Sequence, residues 1–536
     1  MQIISKIRLK NFKRFREFET EFNEATNVII GDNEAGKSSI LQAIELVTSG
    51  NRSKVENIGI ETLLNNLAVT DFLAGEKSFD QLPELHVELY FKDNTNPDLV
   101  GKHNSDGDSK AAGLKLICTP NENLTTEIKD VLAAAKDNFP YEFYTVKFIT
   151  FSGEAFSGYR QFIKCLTIDS SQISSEYANR EYTKAVYSST VPHATRAKLK
   201  NEYRQHKITF KADHLDNINA KLGNYDFAVR SGSKDNLETD IALVQDSIPI
   251  DQRGKGLQCF IKTEFALNRD TGDRGIDVLL LEEPENHLSH SNMKKLVSRI
   301  ADAHQNQIII ATHSSLISTR LDLRNSILMN STSELPLTLG DLPSDTAKFF
   351  MKAPDNNLLE FVLSPKVILV EGDAEYMLME ALYTSVTNST LEQDGVHVIS
   401  VGGLSFKRYM ELAKKLEMKV AVLRDNDTDY QTKCVDNYSE YVTDNVAVFA
   451  DTDNERYTFE VCIYQDNQAI CDFKFTSNHI KSAPLDYMLN NKSEAAYRLA
   501  EREGNIAQGI KGEDGDDGQT LQAPNYIKQA IEWLNR

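Results

Sequence analysis

The sequence predicts an α/β protein of two successive domains, each built around a parallel sheet with chemistry at its strand ends. Three observations support this class. Near the N-terminus, "NVIIGDNEAGKSSILQAIELV" reads as a strand, a glycine-bracketed loop and a helix. Far downstream, "DVLLLEEPENHLSH" and "NQIIIATHSS" are apolar strands that end in polar residues. A second series of strands, helices and acidic strand ends begins at residue 366.

Length and composition are those of a multidomain globular protein. The chain has 536 residues, 40% of them hydrophobic and 26% charged, which exceeds what one core accommodates. No segment reaches the roughly 18 apolar residues of a membrane span, and the six cysteines form no C-x-x-C pair. We therefore expect a cytoplasmic protein without membrane association, zinc ribbon or disulfides. The net charge of −20 neither supports nor excludes nucleic-acid binding, because a local basic strip or bound metal ions can offset it.

The glycine-bracketed loop has the spacing of a nucleotide-binding loop. Its glycines leave backbone N–H groups free to surround a phosphate, its lysine supplies positive charge, and its serine offers a hydroxyl ligand for Mg²⁺. The N-terminus of the following helix adds a favourable dipole. The residues we assign to ATP binding here are Gly31, Asn33, Gly36, Lys37, Ser38 and Ser39.

Acidic residues at the end of the 278–281 strand supply the second part of an ATPase site. Glu282 is expected in the Mg²⁺ shell, and Glu283 is expected to polarise the attacking water. Most such ATPases have aspartate at the first position, so Glu282 departs from the pattern. His313, about 30 residues later, resembles the switch histidine that senses the γ-phosphate. Alone, a histidine after a strand is more often structural, but this position favours the functional interpretation.

Two further segments resemble parts of known ATPase heads. The lead-in "ISKIRLKNFKRFREFETEF" is similar to that of heads of the RecF and structural-maintenance-of-chromosomes (SMC) type. "DQRGKGLQCF" resembles a degenerate signature loop of the ABC class, although its leading serine is missing. This resemblance implies that Gly254 and Gly256 approach ATP held by a partner subunit, so that the heads form a homodimer or a higher oligomer. Residues 160–250 are expected to form a solvated helical insertion that could add a dimer contact.

The second site is predicted where the apolar stretches "KVILV" and "MKVAVL" end. Glu371 follows the first stretch, with Glu375 one helical turn further, and Asp425 and Asp427 follow the second. Clustered carboxylates repel one another, and hard divalent cations such as Mg²⁺ or Mn²⁺ relieve that repulsion. A solvated acidic turn is the competing interpretation for the D-x-D pair alone. A calcium loop starting at Asp425 lacks the glycine and glutamate that this motif requires.

These motifs resemble those of a metal-dependent fold shared by topoisomerases, primases and certain nucleases. "VILVEGDAE", "SVGG" and "LRDNDTD" are similar to the glutamate, glycine and D-x-D motifs of a Toprim domain. Behind an ABC-type head, they resemble the OLD (overcoming lysogenization defect) family, which includes the nuclease subunit of the Gabija anti-phage system. The resemblance implies a further metal-binding glutamate at Glu460 and a transition-state-stabilising lysine at Lys511. An acidic run replaces the small and apolar residues expected around Lys511.

The expected architecture is an ABC/SMC-like ATPase head at 1–345, a connector at 346–365 and a Rossmann-like Toprim domain at 366–536. The resemblance implies an ATP-regulated DNA endonuclease, a nickase or double-strand nuclease acting in anti-phage defence. Two Mg²⁺ or Mn²⁺ ions would be held by Glu371, Glu375, Asp425, Asp427 and Glu460. The implied accessory partner is a helicase, or a reverse transcriptase with its RNA–DNA product.

Three other functions compete with this interpretation. The chain could be a nuclease-inactive ATPase that acts as a DNA clamp or loader. A topoisomerase needs a nucleophilic tyrosine, which 20 tyrosines do not single out. A bacterial primase usually carries a zinc ribbon, which the cysteine spacing excludes.

Overall fold

In a computed structural model, the chain forms two compact units. Unit 1 comprises residues 1–321 and 325–338, and unit 2 comprises residues 322–324 and 339–536. The structure describes residues 2–31, 33–93, 95–134, 138–160, 162–171, 176–222, 225–230, 236–267, 276–303, 306–329, 335–352, 357–402, 405–476, 482–509 and 518–536.

The described part of unit 1 holds the following strands and helices. The strands are β1 (Ile4–Phe12), β2 (Phe15–Glu21), β3 (Thr26–Gly31), β4 (Leu85–Phe91), β5 (Ala112–Pro120), β6 (Tyr144–Thr150), β7 (Cys165–Asp169), β8 (Val244–Gln245), β9 (Ile248–Pro249), β10 (Val278–Glu282), β11 (Gln307–Thr312), β12 (Ser326–Met329) and β13 (Leu337–Thr338). The helices are α1 (Lys37–Ser49), α2 (Arg52–Ile58), α3 (Ile60–Leu63), α4 (Asn66–Ala74), α5 (Thr125–Ala134), α6 (Glu176–Thr190), α7 (His193–Phe210), α8 (Asp216–Asn219), α9 (Leu237–Asp240), α10 (Lys255–Leu267), α11 (His290–Ala301) and α12 (Ser315–Arg320).

Two sheets organise unit 1. The lead-in forms an antiparallel hairpin in a sheet of order β2-β1-β4-β5-β6, as its alternating pattern predicts. The second sheet has the order β13-β12-β3-β11-β10-β7 and is parallel except at β13. Its central strands are continuous apolar runs because both faces are covered. In this order β11 lies between β3, which leads into the nucleotide loop, and β10, which carries the acidic pair.

The segment predicted as a helical insertion contains helices in its described residues. The helix α7 contains no fully buried residue. The exposed apolar residues of this segment include Ile208, Phe210 and Phe227.

Unit 2 is built around a smaller parallel sheet. Its described elements are α13 (Ser344–Lys352), α14 (Leu358–Leu363), β14 (Lys366–Val370), α15 (Asp373–Thr387), β15 (Val396–Ser400), α16 (Phe406–Leu416), β16 (Lys419–Leu423), β17 (Val446–Phe449), α17 (Phe459–Asp466), α18 (Gln468–Phe475), α19 (Pro484–Asn490), α20 (Lys492–Ala507) and α21 (Asn525–Leu534).

The four strands of this sheet have the order β15-β14-β16-β17, and every neighbouring pair is parallel. The strand, helix, strand, helix, strand order expected from the sequence is present in β14, α15, β15, α16 and β16. Because parallel strands end at one edge, the residues that follow β14 and β16 are brought together. The stretch predicted as a connector, residues 346–365, contains α14 and most of α13, and both helices group with unit 2.

The two units give the predicted α/β class. Among the described residues, none of the helices combines the length and apolar character needed to cross a membrane.

Candidate functional site

The nucleotide loop follows β3 and leads directly into α1. Gly36 has φ 94°, and a Cβ atom there would lie 2.4 Å from Cζ of Phe15, so the turn requires glycine. Gly31 is the last residue of β3, and its carbonyl oxygen accepts a hydrogen bond of 2.8 Å from Nζ of Lys37. The buried lysine therefore lies across the loop, where a phosphate would meet it.

The remaining loop residues lie on the same turn. Asn33 is exposed in the loop, and Ser38 and Ser39 are in the first turn of α1. The side chain of Ser38 hydrogen-bonds Glu282 at the end of β10. This contact joins the two parts of the predicted Mg²⁺ site.

The surroundings of Glu282 are buried and negatively charged, as is common where a cation binds. Burial raises the pKa of its carboxyl group, and the nearby negative charges of Asp169 and Glu283 raise it further against the hydrogen bond from Ser38. Asp169 lies directly opposite Glu282 in the β7–β10 register. A bound divalent cation would remove this repulsion, so the longer Glu282 side chain, in place of aspartate, still fits an Mg²⁺ shell.

Glu283 and His313 face one another across the ends of β10 and β11. His313 Nε2 lies 3.3 Å from Glu283 Oε1, and Asn286 Nδ2 donates a bond of 2.6 Å to Glu283 Oε2. Both the glutamate and the histidine are about one-third exposed, so water can reach them. The roles of Glu283 in polarising water and of His313 in sensing the γ-phosphate stay predictions.

Sequence reasoning missed Glu285. Its Oε1 accepts hydrogen bonds from the Thr312 hydroxyl at 2.5 Å and from the His313 backbone N–H at 2.9 Å. Its buried Oε2 has no hydrogen-bond partner among the described residues. Glu285 thus fixes the backbone at His313, and the only sequence sign of it was a third acid in "EEPE".

The glycines of the predicted signature loop lie at the start of α10. Gly254 is exposed, and a Cβ atom there would meet nothing within 4 Å. Gly256 is buried, and a Cβ atom there would lie 2.1 Å from the His287 carbonyl oxygen. Gly256 therefore allows α10 to pack closely against the loop that follows Glu283. An approach to a partner's ATP stays a prediction.

A second acidic set lies where β14 and β16 end. Glu371 directly follows β14, and Glu375 lies in the first turn of α15. Asp425 follows β16, the immediate neighbour of β14. Glu460 is 3% exposed, in the first turn of α17, whose N-cap Thr458 accepts a hydrogen bond from the Val461 N–H.

These four carboxylates are close enough for their negative charges to act on one another. Burial raises the pKa of Asp425 to about 8, assisted by the negative charges of Glu375, Glu460 and Glu371. Burial likewise raises the pKa of Glu375 to about 7, with Glu460 and Glu371 contributing. Such a set is costly unless cations compensate it.

Two cationic side chains that the sequence analysis did not single out contact this set. Arg424 donates from one guanidinium nitrogen to Glu371 and from the other to Asp427 Oδ2, the latter at 2.6 Å. The Arg424 side chain is 4% exposed. Lys492, the first residue of α20, donates from Nζ to Glu460 Oε2 at 2.8 Å. Neither contact has a sequence signature, because each depends on the tertiary fold.

Asp427 is held in a tight turn. It has φ 47°, and its N–H donates to the Tyr457 carbonyl oxygen at 3.2 Å. The buried Asn426 donates to the carbonyl oxygens of Asp451 and Asp453 at 2.8 and 2.9 Å. The middle residue of the D-x-D motif is therefore the anchor of the loop.

The donor chemistry of the set fits a divalent cation. In the described residues, no three His, Cys, Asp or Glu side chains converge closely enough to hold an ion as they stand. Even so, the donors are oxygens, and the uncompensated repulsion between Asp425 and Glu375 is what a hard cation relieves. Lys511 lies outside the described residues.

Comparisons with known proteins agree with this division. Residues 1–317 match the family model described as AAA ATPase domain. Residues 362–427 match the model described as overcoming lysogenization defect protein-like, TOPRIM domain. A Helicobacter pylori ATP/GTP phosphatase is 23% identical over 341 residues, covering 58% of this chain and 85% of that protein.

Two solved structures are also similar. An Smc head domain from Pyrococcus furiosus, bound to the C-terminal domain of ScpA, has 13% identity and a TM-score of 0.32, covering 64% of this chain and 98% of its own. The C-terminal region of the Xanthomonas campestris OLD protein has 19% identity and a TM-score of 0.22, covering 32% and 94%.

The nucleotide loop and the acidic strand ends define a P-loop ATPase head, and the second unit is a Toprim domain. The chain belongs to the AAA ATPase domain family, whose model matches more than half of it, and its residues 362–427 match an OLD-like TOPRIM domain. The nucleotide-binding class expected from the sequence is confirmed.

Proposed function

We propose that the protein is an ATP-regulated, divalent-metal-dependent DNA endonuclease. The observation that carries this proposal is the set of four mutually repelling carboxylates at the ends of β14 and β16 and the starts of α15 and α17. Such a set serves hydrolysis of a phosphodiester when Mg²⁺ or Mn²⁺ is bound.

The bound metal supplies activation of water and stabilisation of the leaving oxygen. We expect Asp425, Glu375 and Glu460 to hold it, because the Arg424 guanidinium already bridges Glu371 and Asp427. The helices α15 and α17 begin at this edge of the sheet. The positive ends of their dipoles favour negative charge there, both on the carboxylates and on a DNA phosphate.

Lys492 is the cation we assign to the developing negative charge of the transition state. Burial lowers its pKa, but the hydrogen bond and charge of Glu460, with Asp425 and Glu375, outweigh this and leave the pKa raised. Lys492 therefore stays protonated at neutral pH. Lys511 was assigned this role from the family resemblance, and Lys492 replaces it in our proposal.

ATP binding at the head is proposed to regulate the nuclease rather than supply energy for the cut. Phosphodiester hydrolysis is favourable without ATP, whereas Glu283, His313 and Glu285 form a set suited to sensing a γ-phosphate. Dimerisation through the heads and a role in anti-phage defence belong to the same proposal, on the strength of the OLD-like TOPRIM match.

Digestion of supercoiled plasmid in Mg²⁺ or Mn²⁺, with and without ATP, tests the proposal. We expect wild type to nick or linearise the plasmid and Asp425→Ala to leave it supercoiled. Asp429→Ala is the matched control, because Asp429 is an exposed aspartate in the same loop. Equal cleavage by wild type and Asp425→Ala would remove the nuclease assignment.

One observation favours a second candidate, a nuclease-inactive ATPase that clamps or loads DNA. Arg424 already binds two of the predicted metal ligands, as expected of a Toprim module that only docks. In that case wild type leaves plasmid intact under every metal condition while DNA binding still responds to ATP.

A further inference from the structure

Arg424 is a fixed positive charge inside the acidic set. Its guanidinium bridges Glu371 and Asp427, and the Tyr438 side chain hydrogen-bonds it as well. Its backbone N–H donates to the Phe449 carbonyl oxygen at 3.0 Å, which anchors the residue at the end of β16. The Arg424 side chain is 4% exposed, whereas the side chains of Glu371 and Asp427 are 31% and 43% exposed.

A guanidinium cannot make room for another cation by losing its proton. Arginine stays charged in proteins, and the two sides of the Arg424 guanidinium are held by the carboxylates of Glu371 and Asp427. A divalent ion bound to the same two carboxylates would lie next to this charge. Arg424 and such an ion therefore exclude one another at Glu371 and Asp427.

The rest of the set is less well compensated. Lys492 Nζ donates to Glu460 Oε2 at 2.8 Å, whereas within the part of the chain that the structure describes no lysine or arginine forms an ion pair with Asp425 or Glu375. The site thus divides into a half whose two carboxylates share the charge of an arginine and a half whose three carboxylates share the charge of a lysine.

We propose that the Arg424 guanidinium takes the place of one of the two divalent cations expected from the sequence. The acidic site then binds a single ion, on the side of Asp425, Glu375 and Glu460. This inference rests on the proposed function, because it specifies how the same site is loaded with metal.

Counting bound Mn²⁺ by electron paramagnetic resonance, without nucleotide, tests this directly. The quantity measured is a difference, namely the number of Mn²⁺ ions bound per chain minus the number bound by the Asp425→Asn variant. We expect one for wild type and two for Arg424→Gln, which frees Glu371 and Asp427. Arg8→Gln is the matched control, because Arg8 bridges Glu19 and Asp106 in unit 1 and its loss leaves the count at one.

The outcomes separate this inference from the proposed function. Two ions in wild type, or one in a folded Arg424→Gln, overturn the role of Arg424 and leave the metal-dependent nuclease standing. No ion above Asp425→Asn in wild type overturns the proposed function itself. Should Arg424→Gln not fold, manganese-soaked crystals of wild type decide: one anomalous peak with Arg424 still bridging supports the inference, and two peaks refute it.

Discussion

Lys492 Nζ lies 2.8 Å from Glu460 Oε2, which joins the first residue of α20 to the first turn of α17. The contact places a protonated amine beside the most deeply buried carboxylate of the acidic set. Residues 32 positions apart in the sequence thus form an ion pair within the proposed metal site.

Replacing Lys492 with methionine is expected to reduce DNA cleavage by about 100-fold, because one donor to the transition-state charge is lost. The ATPase rate should stay within about twofold of wild type. Initial rates of plasmid nicking provide the measurement, with Lys528→Met, an exposed lysine of α21, as the control. If Lys511→Met abolishes cleavage while Lys492→Met does not, the assignment returns to Lys511.

Replacing Asp425 with asparagine is expected to stabilise the metal-free protein at alkaline pH. The folded-state pKa of about 8 lies above the ordinary aspartate pKa of 3.8, so the penalty for ionising Asp425 grows between these two pH values and is complete above pH 8. At pH 9 we expect a gain of ~1–2 kcal/mol, less than the full shift implies because solvent reaches the site. Denaturant unfolding measures it.

The gain from Asp425→Asn should vanish near pH 4 and in millimolar Mn²⁺, which stabilises wild type alone. Asp429→Asn is the control. Its hydrogen bonds with Thr432 lower the Asp429 pKa, so its removal should not stabilise the protein. An unchanged unfolding free energy for Asp425→Asn at pH 9 would contradict the predicted repulsion.

Glutamine at Glu283 is expected to slow ATP hydrolysis by about 100-fold or more while ATP binding persists, because the amide cannot polarise water. Alanine at Glu285 should lower kcat by about tenfold and leave KM for ATP nearly unchanged, since Glu285 positions His313 through its backbone. Steady-state phosphate release distinguishes the two. A large rise in KM for Glu285→Ala would indicate a role in binding instead.

The paired glycines at the start of α10 predict opposite responses to alanine. Gly256→Ala places a methyl group 2.1 Å from the His287 carbonyl oxygen and should destabilise unit 1 by ~1–3 kcal/mol. Gly254→Ala meets nothing within 4 Å and should be neutral in thermal unfolding. A selective loss of ATPase activity in a stable Gly254→Ala would instead support its predicted contact with a partner's nucleotide.

The parts of the fold that the sequence predicts are those with local periodicity. The apolar runs at β3, β10, β11, β14 and β16 predict buried parallel strands, and polar residues mark where each run ends. Glu282 and Glu371 were found because the residue after such a strand lies at the edge of its sheet.

Residues positioned by tertiary packing escaped prediction. Arg424 was not predicted as a site residue, because a basic residue before the D-x-D motif does not belong to any recognisable pattern. In the structure it is buried and bridges Glu371 and Asp427. Lys492 opens an ordinary amphipathic helix, and only the packing of α20 beside α15 brings it to the site. Glu285 acts through a backbone N–H, a contact that leaves no mark in composition.

The strand β11 is hydrogen-bonded to β3 on one side and to β10 on the other. A shift of β11 along its axis would break its hydrogen bonds to both neighbouring strands. We therefore expect this part of the sheet to stay rigid when nucleotide binds at the loop after β3. Under the proposed regulation by ATP, we expect loss of the γ-phosphate to be transmitted by rotation of the His313 imidazole or by the loops beyond the strand ends. A disulfide or proline placed in those loops would therefore abolish the response to ATP and leave the sheet intact.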